Sequence, residues 1–346
     1  MDIRALLDQS VGALASDLYL SVGLVPMARV LGEIEPLTQD TITAASFDAM
    51  MQSIMTEDQF KTFQQDFELD FAFQIPGLAR FRVNCFQQHL GRGAVLRIIP
   101  IETPTLAKIG GPQVFADLMM RPRGLVLVTG PTGAGKSTTL AALVNHLNES
   151  RAAHILTVED PIEFIHTPKK GLVNQREVGR HTESFATALY AALREAPDAI
   201  MLGQMRDLDT ISQALTAAET GHLVMSTLHT TSAPKTVDRI IDVFPAREKE
   251  MVRTMLAESL EAVISQTLCR RADGTGRVLA YEIMLTNPAI RNMIREGKTP
   301  QMYSAMQTGG DVGMVTLDQS LSDLVERGVI TQQEARSKAR DLKNFR

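Results

Sequence analysis

The sequence predicts an α/β fold in two domains, an α+β region followed by a domain built on a parallel sheet, and three features carry that expectation. Before residue 100, apolar residues alternate at Leu69, Phe71 and Phe73 and again at Phe81, Val83 and Cys85, with the turn Ile75-Pro76-Gly77 between them. A period of two on both sides of a turn is the pattern of a strand hairpin. After residue 112, apolar runs at 125–128, 155–158, 200–203 and 223–225 alternate with longer helix-like stretches. Parallel strands covered on both faces lose their polar alternation, so these runs read as strands joined by crossover helices. Between the two regimes, Pro100, Pro104, Gly110, Gly111 and Pro112 break regular structure, as suits an exposed connection. The expected division is 1–100, a linker at 101–112, and 113–346. Beyond about residue 230 helices should dominate, at 246–268, 288–296 and near the C-terminus.

Composition narrows the function. No stretch approaches the ~20 apolar residues of a membrane span, and Asp2 and Asp8 interrupt what would be the apolar core of a signal peptide. A cytoplasmic protein without membrane insertion is expected. The two cysteines, Cys85 and Cys269, form no CxxC or Cys/His spacing, which excludes a thiolate zinc ribbon and argues against a disulfide framework. A net charge of −5 without a long basic tract points away from nucleic acid and toward protein partners.

The chemistry begins at Gly130-Pro131-Thr132-Gly133-Ala134-Gly135-Lys136-Ser137, which fits GxxxxGK[ST] between a strand-like run and a helix that takes in Thr138. Glycines let several backbone N–H groups face phosphate oxygens, and the following helix adds the positive end of its dipole. Lys136 then reaches the outer phosphates of a nucleoside triphosphate, and the Ser137 hydroxyl ligates magnesium. Acids at strand ends beside such a loop face the same crevice. Glu159-Asp160-Pro161-Ile162-Glu163 follows the second run, and Glu163 is the candidate for activating water. After the third run an acid is expected, but the residue is Gln204. His222 and His229 bracket the fourth run, as befits a strand whose tip senses the outer phosphate; each is also an ordinary structural histidine.

Together these segments resemble the type IV pilus retraction ATPases of the secretion ATPase family, nearly end to end. The likeness rests on Ala15-Ser16-Asp17-Leu18, the phosphate loop, Glu159 to Glu163 with Phe164, Met205-Arg206-Asp207, the run 216–222, and Thr227-Leu228-His229-Thr230, all in family order. A further segment, Ala289-Ile290-Arg291-Asn292-Met293-Ile294-Arg295-Glu296, resembles the AIRNLIRE helix of the retraction members, although its pattern alone is that of a plain amphipathic helix. The resemblance implies a PAS-like N-terminal domain, a RecA-like P-loop ATPase domain with a helical C-terminal region, and a homo-hexamer with ATP and Mg2+ between neighbours. By the same resemblance Glu159 and Glu163 form an acidic box, with Glu159 also toward the metal, His222 and His229 form a histidine box, and position 204 belongs to Walker B. Partners would be the inner-membrane pilus platform protein, where the ring docks, and a second retraction ATPase.

In such a ring a neighbour's arginine completes the site; Arg80, Arg82 and Arg97 are the candidates. Alternation puts Arg80 and Arg82 on one strand face, which fits an interface row and a solvated face equally. Where the family has glutamate, Gln204 keeps the shape and loses the charge, so binding should survive better than hydrolysis. That residue alone supports a rival, a poorly hydrolysing structural subunit of a mixed ring. The other rival, an assembly or secretion ATPase, commonly carries a four-cysteine zinc module that two isolated cysteines do not provide.

Overall fold

Short polar side chains at the chain's turns open its first helices, and alternation builds its first sheet. The computed structural model describes residues 1–30, 32–99 and 101–345. Two units emerge, Met1–Glu102 with Glu163–Ile165, and Thr103–Ile162 with His166–Arg346.

The first unit runs α1 (Ile3–Gly12), β1 (Ala15–Ser21), β2 (Met27–Val30), β3 (Glu33–Pro36), α2 (Ala44–Gln52), α3 (Glu57–Asp66), β4 (Glu68–Ile75), β5 (Ala79–Gln88) and β6 (Gly91–Ile99). Reciprocal caps, Thr43 with Ser46 and Thr56 with Gln59, start α2 and α3 by satisfying otherwise orphaned N–H groups. The sheet order is β3-β2-β1-β6-β5-β4, antiparallel throughout. The expected hairpin is β4–β5, where Phe71 faces Val83 and Phe73 faces Phe81. Leu18, Leu20, Phe47, Met51, Phe63, Phe81 and Leu96 are buried in this unit's own core. An α+β N-terminal unit is what the sequence leads one to expect.

The second unit continues with α4 (Gln113–Met119), β7 (Gly124–Thr129), α5 (Lys136–Ser150), β8 (His154–Glu159), β9 (Leu172–Glu177), α6 (Phe185–Ala192), β10 (Ala199–Leu202), α7 (Leu208–Glu219) and β11 (Leu223–Leu228). It ends with α8 (Ala233–Asp242), α9 (Lys249–Ser259), β12 (Leu260–Arg270), β13 (Arg277–Leu285), α10 (Pro288–Arg295), α11 (Thr299–Gln307), α12 (Leu317–Glu326) and α13 (Gln332–Lys338). The strand order is β13-β12-β7-β11-β10-β8-β9; all neighbours are parallel except β13 against β12. Every residue of β7, β10 and β11 is buried. Alternate residues feed opposite cores, Leu125 and Leu127 one, Val126 and Val128 the other, so the lost alternation is that of strands covered on both faces.

Two expectations are corrected. The helix expected at 246–268 stops at Ser259, and the remainder is β12. The β-branched Val263, Ile264 and Thr267 suit a strand, and β12 fills the place between β7 and β13. Helices dominate beyond residue 230 as expected, with β12 and β13 as the strands among them. Residues 103–112, expected as an exposed linker, fall in the second unit. There the Gly111 N–H donates to the Leu106 carbonyl (2.9 Å) while Leu106 packs on the core.

The helix at 288–296 is present as α10. Its Ile290 and Ile294 are buried, Arg291 donates to the carbonyls of Ala257 and Glu258 at the end of α9 and to Glu261 (3.0 Å), and Arg295 pairs with Glu258. Both arginines thus cap and clamp α9. Among the described residues no helix is long and apolar enough to cross a membrane.

Phe81 is 0% exposed, so Phe81→Ala should destabilise the first unit by about 3–5 kcal/mol through the cavity it leaves. Urea unfolding followed by circular dichroism reads this directly, and a loss below about 1 kcal/mol would contradict the core assignment.

Candidate functional site

Parallel strands that point the same way deliver their following loops to one edge of the sheet. At that edge β7 runs into the phosphate loop, β11 into His229, β10 into Gly203 and Gln204, and β8 ends on Glu159. The spatial order β7-β11-β10-β8 puts His229 on the strand next to the loop, Gln204 on the one beyond it and Glu159 three strands across, at ~4.8 Å per strand.

The loop requires its glycines. Gly130, Gly133 and Gly135 have φ of 146°, 79° and 85°, and a Cβ at Gly130 would lie 2.3 Å from the Gln266 carbonyl oxygen, so only hydrogen fits there. Gly135 leads into α5, whose first residue, Lys136, is 9% exposed. Its Nζ donates to the carbonyls of Gly130 (2.9 Å) and Pro131 (3.0 Å), while Pro131, Thr132, Gly133 and Ser137 face solvent and Thr138 is half-buried.

His229 is exposed on the tip of β11. Its pKa lies below the ordinary imidazole value, first through desolvation of the ring and then through the positive charges of Lys136 and Arg206. This shared field ties His229, Lys136 and Arg206 to one site. His222 stands at the other end of the same strand, roughly 20 Å away at 3.3 Å per residue. Its carbonyl accepts from Gly124 N–H at the start of β7 (3.0 Å) and its Nδ1 is 3.0 Å from the Ala217 carbonyl. The structure does not bring His222 to this chain's phosphate loop.

Gln204 is half-buried on a backbone pinned from both sides. Gly203 N–H donates to Val158 O (2.8 Å), Thr227 Oγ1 to Gly203 O (2.7 Å) and Met205 N–H to Thr227 O (3.1 Å). Glu159 is buried, and its Oε1 accepts from Thr157 Oγ1 (2.7 Å) and Gln175 Nε2 (3.0 Å). Glu163 is half-buried and belongs with the first unit, between two anchors on β9: Ile162 N–H donates to Glu177 (3.0 Å) and His166 N–H to Gln175 (2.8 Å). Within the first unit, Arg82 sits directly across the β5–β6 pair from Arg97. Arg97 Nε donates to the buried Asp17 (3.0 Å), which offsets the like-charge pairing.

Among the described residues no group of three His, Cys, Asp or Glu side chains is placed to hold a metal. Sequence reasoning missed Thr157, Gln175 and Gln266; for Gln266 the only signal was an amide within an apolar run.

A glycine loop opening a helix at the C-terminal edge of a parallel sheet, with a lysine beside the next strand's histidine, defines a RecA-like P-loop ATPase. Residues 45–337 match the family described as Type II/IV secretion system protein, and the chain belongs to that family of ATPases. It is 57% identical over 345 residues to the type IV pilus retraction ATPase PilT of Pseudomonas aeruginosa, covering 100% of both. It is 55% identical over 320 residues to the twitching motility protein of Neisseria gonorrhoeae, covering 92% of this chain and 86% of that one. Among solved structures, the pilus retraction motor PilT with bound ADP is similar at a TM-score of 0.90 and 44% identity, over 99% of this chain and 98% of that one.

His166, beside these anchors, is 5% exposed, and burial first, then Lys169, pushes its pKa down to about 4. As pH falls from about 6.5 to 4 the unfolded chain takes up a proton that the folded chain refuses, so stability fully present above that window is lost within it, by about 3 kcal/mol. His166→Gln should flatten the fall in urea midpoint between pH 7.5 and 4.5; parallel curves for both chains would contradict the assignment.

Proposed function

We propose that this chain is the subunit of a six-membered ring that retracts type IV pili at the expense of ATP and so drives twitching motility. The observation that carries this reading is the full-length 57% identity to a retraction ATPase, and a strand edge carrying the phosphate loop, His229, Gln204 and Glu159 supports it. In operation Lys136 exchanges the Gly130 and Pro131 carbonyls for outer phosphate oxygens, and the N–H groups from Gly133 to Thr138 cradle the remainder. Ser137 and Glu159 would hold magnesium, whose charge would offset that of the phosphates. Glu163 orients the attacking water. His229 reads the outer phosphate from the adjoining strand, and His222 answers to a different surface of the ring. Arg82 and Arg97 reach a neighbour's site, Arg82 as the freer of the two and Arg97 steered by Asp17.

Closure of each site moves the N-terminal units around the ring. The ring is cytoplasmic, docks on the inner-membrane platform protein and works beside a second retraction ATPase. A neutral amide at 204 accepts no proton, so this chain binds ATP and magnesium but turns over slowly. That same residue favours a second reading, a nucleotide-binding structural subunit within a mixed ring.

Magnesium-dependent ATP turnover of the chain and of Gln204→Glu, with nucleotide affinity measured in parallel, separates the readings. The motor reading expects similar affinities and a gain of about 10²- to 10⁴-fold in turnover for the glutamate form. Equal turnover in both would make Gln204 a tolerated residue, and negligible turnover in both would favour the structural subunit.

A further inference from the structure

Beside the phosphate loop lies a side chain to which neither the motif nor the family description gives a task. β7 and β12 run in parallel register up to Thr129 opposite Ser265, and the next residue on β12, Gln266, stands where the chain leaves the sheet at Gly130. Gln266 is 3% exposed. Its Nε2 donates to the Ala134 carbonyl (2.7 Å), and its own carbonyl oxygen closes on Gly130. One residue therefore touches the loop where it begins and again just before Lys136. Its Oε1 is buried with no hydrogen bond among the described residues, an arrangement that costs stability rather than adding it. Ile264 and Leu268 on either side show that the strand accepts aliphatic side chains, so packing alone does not call for an amide.

We propose that Gln266 is a positioning residue for the phosphate loop, holding it from behind in the shape that receives nucleotide. This rests on the nucleotide-site reading above. The reason such a brace matters lies in Lys136, whose ammonium holds the loop from inside through Gly130 and Pro131. A triphosphate draws that ammonium onto its own oxygens, and the two inner bonds are exchanged just as the loop must stay formed. The Gln266–Ala134 bond involves no group that touches phosphate, so it persists through binding.

The test is Gln266→Met in the full chain, a swap that keeps length and unbranched shape while removing both the donor and the unsatisfied oxygen. The affinity for magnesium–ATP is measured by equilibrium titration and thermal unfolding without nucleotide in parallel. The expected result is an affinity about fivefold to tenfold weaker, the worth of one hydrogen bond, with an unfolding midpoint equal to or above that of the unaltered chain. Unchanged affinity overturns the proposal. So does a methionine chain that fails to fold or melts well below the parent, since Gln266 would then be a general core residue. Failure of the unaltered chain to bind magnesium–ATP would instead remove the nucleotide-site reading itself, and this proposal with it.

Discussion

Parallel pairing of β7 on both sides is the constraint from which the site follows. Thr129 pairs with Leu228 on one neighbour and Ser265 on the other, so the chain can leave the sheet only at Gly130, and with a conformation that glycine alone tolerates against Gln266. The same pairing aligns the ends of β10 and β11, making neighbours of residues about a hundred positions apart in sequence. A slip of one residue would exchange Leu125 and Leu127 with Val126 and Val128 between two differently shaped cores, which is why the register, and with it the site, is firmly specified.

Charge at this edge is arranged for an anionic ligand. At His229, desolvation first and then the positive charges of Lys136 and Arg206 lower the imidazole's pKa. The nearest strand-end acid, Glu159, is turned to the hydroxyl of Thr157 and the amide of Gln175. The carbonyls of Gly130 and Pro131 both accept from the Lys136 ammonium.

Much of this was legible in the sequence, and the parts that were not share a cause. The loop is legible because its glycines answer to backbone geometry and its lysine to phosphate charge, both local requirements. The hairpin β4–β5 is legible because one of its faces is dry and the other is not. β12 was hidden because a strand buried on both faces and a buried helix present the same apolar run, and only its partners β7 and β13 decide between them. Its continuity with α9, with no glycine or proline at 259–260, removed the usual punctuation. β9 was hidden for the opposite reason: Asn174, Gln175, Arg176 and Glu177 read as a polar loop until Glu159, Ile162 and His166 are seen to need partners. His222 shows the limit of spacing arguments, since seven residues bracket a strand equally well whether one end or both carry chemistry.

The amide at position 204 stands apart from all of these because the backbone on either side of it is hydrogen-bonded. The Gly203 carbonyl and both flanking N–H groups remain bonded to β8 and β11, so the side chain starts from the place a strand-end carboxylate would occupy. A site that had drifted out of use would be expected to lose such supports together, whereas here the loop, its lysine and the pinned backbone persist. Gripping the phosphates draws on α5, the loop glycines and Gln266. Under the proposed function, moving a proton draws on position 204 and the acidic segment after β8. These two groups of residues come from different strands, the loop from β7 and the others from β10 and β8, so under the proposed function one side chain at position 204 would slow turnover while leaving the grip on nucleotide in place.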